Sequence, residues 1–543
     1  MYILGINAYH GDASATLIKD GEIVLAIEEE RLNRSKHWAG FPLRSIKTCL
    51  DEGGISIEEV DHIGISTDPS ANLRHKVLYS LSRFTKIHKM LRDRISKVGK
   101  TRDIKGILTD GLNVNRDDIG AQIHNVEHHL AHMASAFFVS PFEEAAIITL
   151  DGMGDFVSTK WGTGKGIEIS TMGQVQYPHS LGYLYTALTQ FLGFPYYGDE
   201  GKVMGLAPYG NPDPWMEIFE DMVRIPGKHI GFELNLEYFN HHEKGIDMQW
   251  EDGQPTVGTL YSHKMVEKLG EPREPGSEYT ERVQNIAAAL QKRFEQVALA
   301  MVDRLAHQTG KNKLCIAGGV ALNSVMNGKI LPNTSFEDVY IHPNAGDGGT
   351  SLGAAYYIWN VLEQQERPAS LPHAYLGLEF SDEEIGKVVS TDDEQYSIQK
   401  LEGEELYHET AKLIAEGNVI GWFQDRMEWG PRALGSRSIL VDPRRSEMKE
   451  VLNSRVKRRE SFRPFAPSIL EEHTASYFEQ FYPAPTMLMV YQVKEEKREE
   501  IPAVTHVDGS GRLQTVNSEH HPAYYNLIHA FYQQTGVPVL LNT

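Results

Sequence analysis

His128 and His132 stand four residues apart in the stretch HHLAH. On a helix, positions i and i+4 share one face, so two imidazoles at that spacing can grip a single divalent cation. The metalloprotease motif HExxH has the same spacing, with a glutamate in second place as general base. Here that place is taken by His129, so the pair reads as a metal grip for chemistry other than zinc proteolysis. A cation needs three or four ligands, and two aspartates are candidates to complete the set. Asp151 closes the apolar run Ala145–Leu150, where a strand end can present a carboxylate, and Asp347 lies in the Gly-rich turn Asn344–Gly349. Two histidines and two aspartates with an open position suit Fe(II) or another divalent ion of intermediate hardness. A thiolate zinc site is disfavoured, because Cys49 and Cys315 are the only cysteines and neither adjoins these residues.

The elements that must position this set are legible in outline. Tyr2–Asn7, Ala13–Ile18 and Ile23–Glu28 read as strands separated by turns at Gly11-Asp12 and Lys19–Gly21. The rhythm returns at Ala145–Leu150, which runs into Asp151–Asp155. Two such units imply an α/β fold of two lobes, each a mixed sheet ending in an acidic, Gly-rich turn, as in actin-like ATPases. Val283, Ile286, Leu290, Phe294, Val297 and Met301 recur at helical steps within Tyr279–Gln308. That apolar helix can serve a core or a homodimer interface. Leu314–Ala317 reads as a short strand ending at Gly318-Gly319, and Ala71–Lys105 as helical. Asn211–Pro275, with His241-His242, Trp250 and Glu251–Gly253, reads as an irregular insertion whose histidines are ordinary surface residues. Pro368, Pro372 and the polar stretch Thr391–Gln395 mark a boundary. The expected division is a domain over 1–365, a linker over 366–404 and a second domain over 405–543 with a strand at Val419–Phe423.

Bulk properties exclude several classes. The chain of 543 residues carries a formal charge of −21, which argues against a nucleic-acid partner. No apolar run approaches the roughly 20 residues that span a bilayer, and the N-terminal stretch lacks a signal-peptide pattern; no membrane association and a cytoplasmic location are expected. Within this acidic chain, Asp425–Arg463 holds 11 Lys or Arg against 6 Asp or Glu. A basic island of that kind suits a small anion such as a phosphate ester. Gly152–Gly154, Gly318-Gly319 and Gly348-Gly349 let backbone N–H groups approach phosphates, although none matches a Walker or dinucleotide fingerprint.

Longer motifs carry a resemblance. HGDASATLI (His10–Ile18), AIEEERLNRSKH (Ala26–His37), HHLAH, TLDGMGD, DEGKVMGLAPYG (Asp199–Gly210), GGVALN (Gly318–Asn323) and GDGGTSLGAA (Gly346–Ala355) occur in this order. They are followed by EWGPRALGSRSIL (Glu428–Leu440), NSRVKRRESFRPFAPSI (Asn453–Ile469) and THVDGSGRLQTV (Thr505–Val516). The sequence resembles the NodU/CmcH-type O-carbamoyltransferases over nearly its whole length. The resemblance implies an actin-like N-terminal domain, similar to tRNA threonylcarbamoyl-transfer ATPases, and a YrdC-like C-terminal domain that forms carbamoyl adenylate from carbamoyl phosphate and ATP with Mg²⁺. The acceptor would be a hydroxyl of a small-molecule metabolite. Carried over residue by residue, His128, His132, Asp151 and Asp347 would hold the metal. Arg432, Lys457, Arg463, Arg512 and Asn542 would hold carbamoyl phosphate and ATP, with Lys457 and Arg463 acting on the reacting phosphate. Gly152, Gly318, Gly319 and Asn323 would contact the nucleotide in the N-terminal domain.

Transfer needs a proton acceptor, and His10, beside Asp12 at the first turn, is the expected base. The insertion and the loop Asn33–Phe41 are expected to shape the acceptor pocket. The family's LNT motif continues into SFN and a tail, whereas this sequence stops at Thr543; truncation of the pocket around Asn542 is expected there. The competing reading is an actin-like small-molecule kinase or regulatory ATPase, which leaves HHLAH and the basic island unexplained.

Overall fold

A computed structural model of the protein describes residues 1–81, 103–246, 248–249, 255–371, 373–389 and 396–543. The chain divides into two compact units, Met1–Leu371 and Pro372–Thr543.

The first unit is built on two five-stranded sheets. β1 (Tyr2–Asn7), β2 (Ser14–Lys19) and β3 (Glu22–Glu28) form an antiparallel meander, and β4 (His62–Ile65) and β5 (Gln122–Asn125) add in parallel on the other side of β1. The strand order is β3-β2-β1-β4-β5. Asp20 and Gly21, at φ of 49° and 88°, make the two-residue hairpin turn that positive φ at both positions allows. After helix α1 (His128–Phe137), the order repeats. β6 (Glu144–Gly154), β7 (Val157–Lys165) and β8 (Glu168–Gln176) form the meander, and β9 (Lys313–Ala317) and β10 (Asp338–Ile341) add in parallel to β6. The internal repeat expected from sequence is therefore a repeat of sheet topology, and the two-lobed, actin-like α/β class holds.

Between β8 and β9 the chain makes the 29-residue helix α2 (Glu281–Thr309), closed by Gly310 in the left-handed region at φ of 64°. Its apolar stripe is buried throughout. The insertion Asn211–Pro275 contains short helices at Met216–Met222 and His263–Leu269 and a ribbon of Val223–Arg224 with Glu233–Leu234. One expectation is corrected here. His241 is fully buried, and its Nε2 donates to Pro178 O at 2.8 Å, because helix His241–Lys244 packs inward. Trp250 and Glu251–Gly253, and the polar stretch Thr391–Gln395, lie outside the described residues. Of the helical expectation over Ala71–Lys105, helix Leu73–Leu81 and the start of Ile104–Leu112 are described, and residues 82–102 lie outside.

Helix α3 (Thr350–Tyr356) packs on β1, β2 and β4 on one side and on α1 on the other, while α1 packs on β6 and β9. Two glycines permit this layering. A Cβ on Gly5 of β1 would lie 1.9 Å from Ser351 O, and one on Gly353 would lie 1.8 Å from Ala131 O. Ser14 Oγ donates to Gly348 O at 2.7 Å, tying the start of α3 to β2.

The second unit has one six-stranded sheet, formed by β11 (Ile420–Phe423), β12 (Arg437–Val441), β13 (Ala466–Leu470), β14 (Met489–Gln492), β15 (Ser510–Val516) and β16 (Val539–Asn542). The order is β11-β12-β16-β13-β15-β14, with only the β13–β15 pair parallel. Within the expected linker, Arg367 belongs to the first unit. Its guanidinium donates to the carbonyls of Phe137, Phe138, Ser140 and Phe142, which closes the C-terminal end of α1.

Candidate metal centre and anion site

Helix α1 is held at its N-terminus by two carboxylates. Glu127 Oε2 accepts from Leu130 N at 2.9 Å and from the buried Lys160 Nζ at 2.6 Å. Asp155 Oδ2 accepts from His128 N at 3.0 Å and from Asp68 N at 2.7 Å. Acidic groups at a helix start are favourable through the helix dipole and satisfy otherwise orphan N–H groups. Asp155 was not singled out in the sequence, although the aspartate that ends TLDGMGD was the available signal.

This clamp sets His128 and His132 facing β6. Asp151 does not end that strand, as the sequence suggested. It lies within β6, where the pairing with β7 shifts register between Leu150 and Gly154, and such an irregularity re-aims side chains. Gly154 completes the fit, because a Cβ there would fall 2.0 Å from the His128 ring. Asp347 opens the short turn leading into α3.

His128 Nε2 lies 3.1 Å from His132 Nε2, 3.3 Å from Asp151 Oδ2 and 3.6 Å from Asp347 Oδ1. His132 Nε2 lies 3.5 Å from the same Asp347 oxygen. One ligand atom from each of the four residues lies within 4.8 Å of all the others. Burial alone would lower the His128 pKa, but Asp151 and Asp347 outweigh it and raise it to about 9. Burial and the His128 charge push His132 down to about 3. Burial opposes ionisation of Asp151, yet the histidines hold its carboxyl well below the usual range; burial and the Asp151 charge push Asp347 well above it. Four groups that disturb one another this strongly are a poor hydrogen-bond network and a good ligand set. The two imidazoles and two carboxylates fit a divalent cation, with Asp151 steadied by Gly319 N, which donates to its Oδ1 at 2.9 Å. The Nδ1 atoms of both histidines are buried without partners, so here helix packing rather than a hydrogen bond fixes the rings. His129 is no ligand: its Nε2 donates to Val157 O at 3.0 Å and Thr149 Oγ1 sits 2.7 Å from Nδ1.

The other expected residues of this unit fall into two groups. His10 lies over the ligand set, its ring stacked on His128 at 5.1 Å with Nδ1 4.0 Å from Asp347 Oδ2. Asp12 Oδ1 lies 2.7 Å from His37 Nδ1. The nucleotide candidates are more engaged within the protein. Gly152 lies in β6 against Tyr183 and Gly182, Gly318 at φ of 94° sits where a Cβ would fall 2.1 Å from Leu150 O, and Gly319 N donates to Asp151. Asn323 caps the helix Ser324–Asn327 and exchanges two hydrogen bonds with Gln291.

In the second unit, Glu428 Oε1 accepts from the backbone N–H groups of Leu434, Ser436 and Arg437 and shapes the turn carrying Arg432. Asn453 shapes the loop after Leu452–Val456 from the other side of the bond, its Nδ2 donating to Ser461 O and Arg463 O. Lys457 follows directly, its N–H bonded to Leu452 O. Four guanidinium groups converge. Burial lowers the Arg512 pKa first, and the charges of Arg432, Arg459 and Arg463 lower it further, well below the ordinary arginine value. Arg432 and Arg459 are each depressed to about 10 by burial and by Arg463. The Nε atoms of Arg432 and Arg512 are buried without hydrogen-bond partners, an arrangement suited to a polyanion. Arg459 was missed in the sequence, since three consecutive basic residues gave no sign of which one points inward. Other basic residues of the island are structural: Arg437 stacks on Phe423 at 3.6 Å and Arg444 pairs with Asp442 at 2.7 Å. Asn542, on the central strand β16, donates to Ser468 Oγ and Gln514 Oε1, while its Oδ1 is buried without a partner.

The family described as Carbamoyltransferase N-terminus matches residues 2–356, and Carbamoyltransferase C-terminus matches residues 411–543. The chain belongs to the carbamoyltransferase family. An uncharacterized protein of Synechocystis sp. is 39% identical to this carbamoyltransferase over 100% of its chain and 91% of the relative. Nodulation protein NolNO of Sinorhizobium fredii is 36% identical, covering 99% of this chain and 74% of that protein. Nodulation protein NolO of Bradyrhizobium diazoefficiens is 36% identical, covering 77% and 72%. Among solved structures, HypF of T. kodakarensis matches 67% of this carbamoyltransferase and 48% of its own chain, at 13% identity and a TM-score of 0.34. No described helix is long and apolar enough to cross a membrane.

Proposed function

We propose that this carbamoyltransferase makes carbamoyl adenylate in its second unit and transfers the carbamoyl group to a small-molecule hydroxyl in its first. The observation that carries the reading is the pairing, in one chain, of a His₂Asp₂ ligand set with a cluster of four arginines that Glu460, beside Arg463, neutralises only in part. Carbamoyl phosphate is a small dianion, and Arg432, Arg459, Arg463 and Arg512 offer planar forks to its oxygens, with Lys457 as a point charge. Cleavage by water gives carbamate and phosphate; a carbamate oxygen then displaces pyrophosphate from the α-phosphorus of Mg²⁺-bound ATP. Arginines that repel one another when the site lacks an anion bind better as charge accumulates on the phosphates. Asn542, with an unpartnered Oδ1, is placed at this site by the proposal.

In the first unit, His128, His132, Asp151 and Asp347 would hold a divalent ion, iron(II) by ligand type. A bound cation there would polarise the carbamoyl carbonyl or anchor the adenylate phosphate. Gly152, Gly318, Gly319 and Asn323 would line the nucleotide's approach, and His10 and Asp12 would serve the acceptor hydroxyl. The test follows AMP formation and carbamoyl transfer separately. Lys457→Ala is expected to abolish AMP formation, while His132→Ala spares it and blocks transfer. Loss of both variants at one step would refute the division of labour, and release of ADP in place of AMP would favour a small-molecule kinase.

A further inference from the structure

His37 lies in the loop expected to border the acceptor pocket, and the structure builds it into the first turn. Ala13 N donates to Trp38 O at 2.8 Å, and Tyr9 N to Gly40 O at 3.3 Å, so the loop and the turn are stitched together. The His37 backbone N–H donates to Glu30 Oε2 at 2.8 Å, and the ring places Nδ1 2.7 Å from Asp12 Oδ1. Asp12 reaches this position from the left-handed region, at φ of 55°, which aspartate tolerates better than most residues. The other ring nitrogen faces the backbone of a glycine, which brings no side chain against it. Gly198 has φ of 86°, and a Cβ there would lie 2.4 Å from His37 Nε2. Tyr197 meets the same ring edge-on at 5.3 Å. His10, the base expected from sequence, instead lies face-on against His128, where an imidazolium would be repelled by a cation on the ligand set.

We infer that Asp12 and His37 form a carboxylate–imidazole dyad whose Nε2 takes the proton of the acceptor hydroxyl during carbamoyl transfer. The inference rests on the transfer reading above and names a residue that reading leaves out. The hydroxyl O–H bond breaks toward Nε2, and the oxygen forms a bond to the carbamoyl carbon. The adenylate phosphate oxygen departs with the electron pair of the C–O bond that breaks. The imidazolium is neutralised by Asp12 and returns its proton to solvent. The charged groups around His37 are Asp12, Glu30, Lys36 and Glu200; burial would lower its pKa, and Asp12 raises it on balance. A carboxylate behind an imidazole fixes tautomer and orientation as well as charge.

The experiment uses the ion-loaded full chain with ATP, carbamoyl phosphate and a panel of methyl glycosides and aminocyclitols as hydroxyl acceptors. His37→Gln is expected to lower kcat for transfer about 10²- to 10⁴-fold, with KM held and the acid limb of the pH–rate profile lost. AMP formation and bound-ion content should match the wild type, which separates a lost base from a lost fold. Asp12→Asn should move the acid limb to lower pH. Retention of the limb in His37→Gln with active wild type overturns the dyad alone. A wild type that carbamoylates no hydroxyl overturns the transfer reading and the dyad with it.

Discussion

Replacing Arg512 by methionine should stabilise the second unit when no anion is bound and destabilise it when one is. Arg512 is held among Arg432, Arg459 and Arg463, with a buried Nε that has no hydrogen-bond partner. A buried donor left unmatched costs about 1–3 kcal/mol, and methionine of similar length removes both that cost and one of four mutually repelling charges. For a unit of this size, roughly 2–4 °C per kcal/mol gives an upward Tm shift of about 2–12 °C. Ligand adds RT ln(1 + [L]/Kd) to the stability of whichever protein binds it. At a hundredfold excess over Kd the wild type gains about 2.7 kcal/mol from phosphate or carbamoyl phosphate, while the variant gains little. The two melting curves should therefore cross as the anion is titrated in a phosphate-free buffer followed by scanning calorimetry. A variant that melts lower at every concentration, or responds to phosphate as the wild type does, would show that the four arginines do not form one anion site.

The first unit supports further predictions. His132→Ala should weaken divalent-ion binding by more than about a hundredfold, beyond the 10–100-fold typical of outer partners, as measured by metal analysis after dialysis. Gly154→Ala forces a methyl into the His128 ring, so calorimetry should show a loss of about 1–3 kcal/mol together with weaker ion binding. His128 holds a proton up to about pH 9 in the ion-free protein, and a ligand must be deprotonated to bind. Ion binding at pH 7 should then release the His128 proton and any that Asp347 still holds, since its carboxyl is also raised, measurable by titration calorimetry in buffers of different ionisation enthalpy, and the His128 share should vanish above that pKa. Arg459→Ala should raise the KM for carbamoyl phosphate about tenfold or more through loss of a charge-assisted contact.

The parts of this protein written in local chemistry were readable from sequence. Apolar runs bounded by Asp-Gly turns gave the meander of the first sheet and the leading strand of the second, and the HHLAH spacing with two aspartates near Gly-rich turns gave four residues that the structure brings together. What escaped depends on tertiary contact. Nothing local shows that the Asp155 carboxylate crosses to His128 N, or that Arg459 turns inward while its neighbour Arg458 is exposed. His241 looked like a surface residue because its burial depends on Pro178, far away in the chain. Gly319 and Asn323 carried phosphate-site signals, yet their polar groups steady Asp151 and Gln291.

The helix that follows Asp347 touches backbone on both sides, at Gly5 of one sheet and at Ala131 of the histidine helix. Side chains cannot cushion sliding at such contacts, so the junction behaves as an axle. Breathing of the two lobes would pivot around it and leave the four ligands at nearly constant separation. Exchange of substrates through an opening mouth and escape of the ion would then be kinetically independent events, with the ion resident across many turnovers.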